Sequence, residues 1–120
     1  MAVVNQVNKK AKIDKFNNVK YQILTHCFLV NITLSSSELT CLSMLAIDGE
    51  QELNSFCQKM YEQSVFKSSQ TVRNSIAKAE KNNLVTKEGK SKKKIWINPS
   101  LKIQTEGNIL LDYKFLTIES

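Results

Sequence analysis

The sequence has few of the residues that interrupt or cross-link a chain. It contains one proline, three glycines and three cysteines in 120 residues, of which 42% are hydrophobic. This composition favours one ordered globular domain over a disordered chain. The apolar runs are far too short to span a bilayer, and no charged start precedes an apolar segment of the kind found in secretion signals. These absences predict a cytoplasmic protein with no membrane partner.

Residue patterns that carry chemistry are also scarce. Cys27, Cys41 and Cys57 show no C-x-x-C spacing, and His26 is the only histidine, so a zinc site lacks ligands. The sequence has no Gly-rich phosphate loop and no nucleophile motif with a histidine partner. We therefore expect buried, reduced thiols, no metal, no cofactor and no enzymatic activity.

Positive charge is concentrated in one segment. Residues 67–94 contain nine basic and two acidic side chains, a net charge of +7. The rest of the chain has eight basic and nine acidic side chains, a net charge of −1, which gives +6 for the whole protein. Because a charge that served only solubility would be scattered, this distribution predicts a polyanionic partner.

The same segment begins with the pattern of an amphipathic helix. A serine at its start provides an N-cap, and Val72, Ile76 and Ala79 follow at helical spacing. Two asparagines then end the helix, because asparagine tolerates the left-handed backbone conformation that commonly closes one. These features predict a helix over 68–82.

A β-hairpin with a basic turn is predicted next, over 84–97. Both of its ends are rich in β-branched and aromatic residues, as in Ile95-Trp96-Ile97. Between them lie Lys90, Lys92, Lys93 and Lys94, which cannot pack inward. A solvated turn is one interpretation of these lysines. Four lysines among five residues exceed what solubility needs, so contact with phosphates is the favoured one.

Several short motifs in this segment resemble the winged helix-turn-helix superfamily. They are Ser-x-x-Thr-Val-Arg at 68–73, an apolar residue at Ile76, Ala-Glu at 79–80 and Asn-Leu-Val at 83–85. Members of the superfamily often have glycine where Asn83 stands. The whole chain is similar to small winged-helix proteins of bacteria and their phages. The resemblance implies that the helix over 68–82 is a recognition helix and that the hairpin over 84–97 is the wing. It also implies that the exposed face of this helix and the wing contact duplex DNA.

The resemblance also gives the candidate site residues. Those of the recognition helix are Ser69, Gln70, Thr71, Arg73, Asn74 and Lys78, and those of the wing are Lys90, Lys92, Lys93 and Lys94. Arg73 and Asn74 are candidates for base reading, because arginine bonds guanine and asparagine bonds adenine through two hydrogen bonds. The structural alternative is that Arg73 pairs with Glu80 or caps its neighbours.

The remaining segments complete a predicted α+β fold. Two further helices, over 36–47 and 50–63, precede the basic helix and complete a helix-turn-helix core. The predicted additions to this core are a flexible basic arm over 1–20, a strand over 21–34 and a C-terminal hairpin over 101–118. Residues 21–120 would form a single winged-helix domain. The predicted core residues are Leu42, Leu45, Phe56, Met60, Phe66, Val72, Ile76 and Trp96.

Two classes of function remain open from the sequence. The first is a duplex DNA-binding protein, such as a small transcriptional regulator or a replication accessory factor, acting in the cytoplasm of a bacterium or of a phage's host. The alternative is an assembly module, for example of a phage virion, with the lysines facing an acidic protein partner. The apolar C-terminal hairpin keeps this alternative open, and the terminal strands also offer a surface for a homodimer.

Overall fold

A computed structural model describes residues 2–10 and 14–118 of the chain. In chain order the elements are β1 (Ala2–Lys10), α1 (Lys15–Leu29), α2 (Ser36–Asp48), β2 (Gln51–Glu52), α3 (Leu53–Glu62), α4 (Ser69–Lys81), β3 (Val85–Glu88), β4 (Lys94–Ile97) and β5 (Leu110–Ile118), with a 3₁₀ turn at Pro99–Leu101. One antiparallel sheet has the order β2-β4-β3, and β1 and β5 form a separate antiparallel ribbon. The succession from α2 to β4 with this strand order is a winged-helix core, which confirms the predicted α+β fold class. Within the described residues, each helix is too short or too polar to cross a membrane.

One apolar core joins the four helices to the three-stranded sheet. Six of the predicted core residues are buried, namely Leu42, Leu45, Phe56, Met60, Val72 and Ile76. Phe66, in the connection between α3 and α4, is partly buried against this core together with Val65, and so anchors the start of α4. The prediction for Trp96 is wrong. Its side chain is half-buried in a surface groove beside Gly49 and Pro99, outside the core.

Helix α1 replaces the strand that the sequence predicts over 21–34. The Asp14 side chain accepts a hydrogen bond of 2.8 Å from the Asn17 backbone N–H and caps the helix. Val19, Ile23 and Cys27 then fall on one buried face. The β-branched residues favour a strand locally, but burial of this face at helical spacing outweighs that small preference.

The two termini form a ribbon in place of the predicted arm and hairpin. Residues Ala2–Lys10, inside the segment predicted as a flexible arm, pair with Leu110–Ile118 from Ala2 opposite Ile118 to Lys10 opposite Leu110. The hairpin predicted over 101–118 is therefore wrong, since β5 finds its partner at the other end of the chain. The rest of the predicted arm between the two described ranges lies outside the described residues. With this ribbon the molecule measures 61 × 30 × 25 Å.

Candidate nucleic-acid interface

Helix α4 is fixed at both ends by local hydrogen bonds. The Ser68 hydroxyl accepts a bond of 3.1 Å from the Thr71 backbone N–H, and the two hydroxyl oxygens lie 2.8 Å apart. At the other end Asn83 has a φ of 61°, and the Leu84 N–H donates to the Ala79 carbonyl oxygen at 2.9 Å. This is the closure in which glycine is commonest, and asparagine fills the position here. Both ends therefore set the register of α4.

The outward face of α4 is a row of four exposed residues. The row consists of Gln70, Asn74, Ala77 and Lys81. Buried Val72 and Ile76 lie on the opposite side of the helix, so the register on which the site depends is the predicted one. The Gln70 amide Nε2 donates to Asn74 Oδ1 at 3.0 Å, which aligns these two side chains along the surface. We name these four residues the α4 row. Its members Ala77 and Lys81 were absent from the candidate set, although helical spacing alone gives them.

Arg73 lies at the edge of this face and is held from the side. Its guanidinium Nη2 donates to the Oδ1 atom of Asn54, in the first turn of α3. Burial raises the pKa of the Cys57 thiol, and the Arg73 cation nearby opposes this rise. The suggested pairing of Arg73 with Glu80 is not formed, because Glu80 instead pairs with Lys87 at 3.3 Å. A guanidinium has five N–H donors, so one bond leaves donors for a ligand.

Lys78 binds to the neighbouring helix α2. Its Nζ lies 3.0 Å from Glu38 Oε2. Glu38 also accepts a bond of 2.9 Å from the Ser35 N–H and completes a capping box at the start of α2. Partial burial raises the pKa of Glu38, but the bonds from Ser35 and Lys78 outweigh it, so the pKa lies below its usual value. Lys78 therefore has a partner on another helix, whereas the bond between Gln70 and Asn74 of the α4 row stays within α4.

The wing turn is built on a glycine and presents three lysines. Gly89 has a φ of 115°, and a Cβ at this position would lie 3.0 Å from the Lys92 carbonyl oxygen. Lys90, Lys92 and Lys93 are all exposed in this turn. The backbone N–H of Leu53, at the start of α3, donates to the Lys93 carbonyl oxygen at 2.8 Å. This bond fixes the base of the wing to the helix-turn-helix. No ion pair of these three lysines occurs within the described residues.

Lys94 stands in different surroundings from the other wing lysines. It is the first residue of β4 and lies between two strands, opposite Glu52 of β2 and Glu88 of β3. Side chains directly opposite each other on neighbouring strands share a face of the sheet. Lys94 therefore shares a face of the sheet with two glutamates, although the described residues show no ion pair between them. The two-residue strand β2 has no sequence pattern of its own, so this environment was not visible from the sequence.

The three cysteines are buried and free. Burial is the main cause that raises the pKa of the Cys41 thiol to about 12, with smaller contributions from Cys57 and Glu38. Burial also raises the pKa of Cys27. In residues 2–10 and 14–118, no cluster of three or more histidine, cysteine or acidic side chains is arranged to hold a metal ion.

The fold is similar to a solved structure of a bacterial regulator. This is the Helicobacter pylori ferric uptake regulator Fur, whose structure reveals three functional metal-binding sites. The likeness has a TM-score of 0.52 and a sequence identity of 9%, and it covers 88% of this chain and 73% of that chain. No protein-family model matches the sequence. No curated protein matches it either. At this identity the likeness shows the fold alone, a winged-helix-like arrangement of helices and antiparallel strands.

Proposed function

We propose that this protein binds duplex DNA through α4 and the wing, as a small cytoplasmic transcriptional regulator or replication accessory factor. The observation that carries the proposal is the exposed α4 row, in which Gln70, Asn74 and Lys81 are polar or charged, beside a turn with three exposed lysines, Lys90, Lys92 and Lys93. This surface coincides with the only part of the sequence that has a large excess of positive charge. A polar helix face flanked by cations suits a groove lined by phosphates.

The dimensions of α4 fit this use. Its 13 residues make a helix about 20 Å long, and the major groove, about 12 Å wide, admits an α-helix. Gln70 and Asn74 lie at the centre of the outward face, where their amides can bond to an adenine edge. We expect Ser69 and Thr71, in the first turn, to contact phosphates.

Arg73 and Lys78 have secondary roles in this proposal. Arg73 is braced by Asn54 and uses its remaining donors on a base or a phosphate at the edge of the groove. Lys78 is the weakest of the helix candidates, because a DNA contact would compete with its ion pair to Glu38. Lys94 shares a face of the sheet with Glu52 and Glu88, so we expect it to contribute less to phosphate binding than the three lysines of the turn.

DNA binding is favoured over the assembly alternative for two reasons. The C-terminal hairpin that motivated the assembly alternative is not formed, because β5 pairs with β1. The protein whose fold is similar is named a regulator, which supports a regulatory function and gives no support to an enzymatic one.

Selection of duplexes from a random pool, followed by titration of the enriched site, tests the proposal. Gln70→Ala should weaken binding to the enriched site by about 1–3 kcal/mol and relax its base preference. Gln58→Ala is the matched control, because Gln58 is also an exposed helical glutamine whose Nε2 donates to the residue four positions on, Glu62 Oε1, at 3.1 Å. If no sequence is enriched, or if both variants lose the same affinity, base reading by α4 is refuted.

A further inference from the structure

The outer face of α1 carries an unusual row of exposed apolar side chains. Tyr21 is 37% exposed, Leu24 is 51% exposed and Phe28 is 81% exposed. They lie away from the buried face of the same helix, which packs on the core. A helix that is apolar on two faces is normally covered on both.

The spacing of the row indicates a helical partner. Asn17, Tyr21, Leu24 and Phe28 are separated by four, three and four residues. This alternation is the heptad pattern in which side chains of one helix insert between those of another. Asn17, at the N-terminal end of the row, is polar, and its side-chain amide Nδ2 donates to Asp14 Oδ2 at 3.0 Å. We name these four residues the α1 seam.

The exposed apolar area approaches that of a stable interface. Leu29 and Val30, at the C-terminal end of α1, add exposed apolar area to that of Tyr21, Leu24 and Phe28, with exposures of 75% and 50%. These five residues form the apolar patch of α1. At these fractions, the five apolar side chains of the patch expose on the order of 500 Å² in each protomer. That area is as large as the largest patch on a typical monomer, about 300–600 Å². It supplies most of the roughly 800 Å² that each partner contributes to a standard interface.

We propose that the α1 seam binds the seam of a second copy of this chain, with the two helices antiparallel about a two-fold axis between Tyr21 and Leu24. In that register Tyr21 packs against Leu24 of the partner subunit. In the same register Asn17 lies opposite Phe28 of the partner subunit, so each end of the paired seam has one polar side chain. Self-association about a two-fold axis is also the commonest way in which soluble proteins cover such a face.

The terminal ribbon adjoins the same helix and also has exposed apolar residues. Polar contacts join the segment before β5 to α1: Asn18 Nδ2 donates to the Gly107 carbonyl oxygen at 3.1 Å, and the Gln22 amide exchanges two bonds of 2.7 Å with the Gln104 backbone. Along the ribbon, Val4 and its cross-strand partner Leu116 are both more than half exposed. A two-stranded ribbon is marginally stable in water without further packing. A second copy docked on α1 lies beside this ribbon and can cover it without strand exchange.

The proposed dimer forms without DNA, so a failure of this proposal can be distinguished from a failure of the proposed DNA binding. Sedimentation equilibrium of the full chain without DNA should give a dimer. The double variant Leu24→Gln with Phe28→Gln should raise the dimer dissociation constant by at least about 30-fold, the effect of an interface hot spot. Tyr61→Gln is the matched control, since Tyr61 is another exposed aromatic residue, 47% accessible, outside the α1 seam. It should leave the dimer intact.

The outcomes discriminate between the occupants of the seam. Because both altered side chains are exposed, the far-UV circular dichroism of the double variant should match that of the unaltered protein. A chain that stays monomeric at several hundred micromolar refutes the proposal and leaves a foreign partner for the seam. A dimer that persists in the double variant refutes the α1 interface and points to the terminal strands.

Discussion

The wing lysines give a quantitative test, because the structure divides four similar residues into two groups. Lys92→Gln with Lys93→Gln removes two exposed turn cations, while Lys102→Gln with Lys114→Gln removes two exposed cations elsewhere. Both variants lose the same net charge. If the turn touches phosphates, the first variant should flatten the slope of log affinity against log salt by about 1.8, since each contact contributes about 0.9. Between 50 and 200 mM salt, its affinity should therefore fall about 12-fold less than that of the unaltered protein.

Lys94 provides an internal comparison within the wing. Its side chain shares a face of the sheet with Glu52 and Glu88, and these negative charges weaken the local attraction for a phosphate. Lys94→Gln should flatten the slope by less than half as much as Lys92→Gln. Fluorescence anisotropy with a labelled duplex at several potassium chloride concentrations measures all of these slopes. Equal slopes for the turn pair and the distant pair would refute the placement of the wing at the phosphates, and equal effects of Lys94 and Lys92 would refute the division between them.

Two further predictions concern stability. Because the pKa of Glu38 is lowered in the folded state, its ionised form stabilises the fold above the ordinary glutamate value of about 4.3, and this contribution is lost as the pH falls through the lower, folded value. Glu38→Gln should lower the free energy of unfolding by about 0.2–1 kcal/mol at neutral pH, because the ion pair with half-exposed Lys78 is lost. Urea unfolding at several pH values should then show a smaller loss of stability in acid than for the unaltered protein. An unchanged dependence on pH would contradict this. Gly89→Ala should lower the free energy of unfolding by about 1–3 kcal/mol, and by more than Gly107→Ala, because both have φ above 100° but only at Gly89 does a Cβ meet the backbone. Thermal or urea unfolding of the two variants decides this, and an equal loss would contradict the steric argument.

The parts of the fold that the sequence predicts correctly have local signals. The start of α4 follows from a serine cap and its end from Asn83, whose left-handed conformation is the predicted one. The buried stripe at Val72 and Ile76 follows from helical spacing alone. The contacts that qualify the site are not local: Arg73 reaches Asn54 on another helix, and no pattern in the sequence connects them.

The errors have an equally specific cause. Helix α1 reads as a strand because Tyr21, Leu24 and Phe28 on its outer face interleave with the buried residues on its inner face, which hides the helical period. If the α1 seam is an interface, one face of α1 packs on the core and the opposite face packs on the second copy. Both faces are then apolar, and the helical period is hidden for this reason. Strand β1 is polar and carries no strong strand signal, and only its pairing with β5 makes it a strand.

The closure of the ribbon by the two ends of the chain has a consequence for the order of folding. Ala2 pairs with Ile118, so β1 is synthesised before the four helices and the wing, and its partner strand β5 only after them. The helices and the wing, whose contacts are much shorter in sequence, can assemble during that interval. Strands that are far apart in the sequence pair slowly, because the chain loses the entropy of closing a long loop before any contact stabilises the pair. The ribbon is therefore the last element to form, and the nascent chain carries β1 as an unpaired segment until synthesis reaches β5.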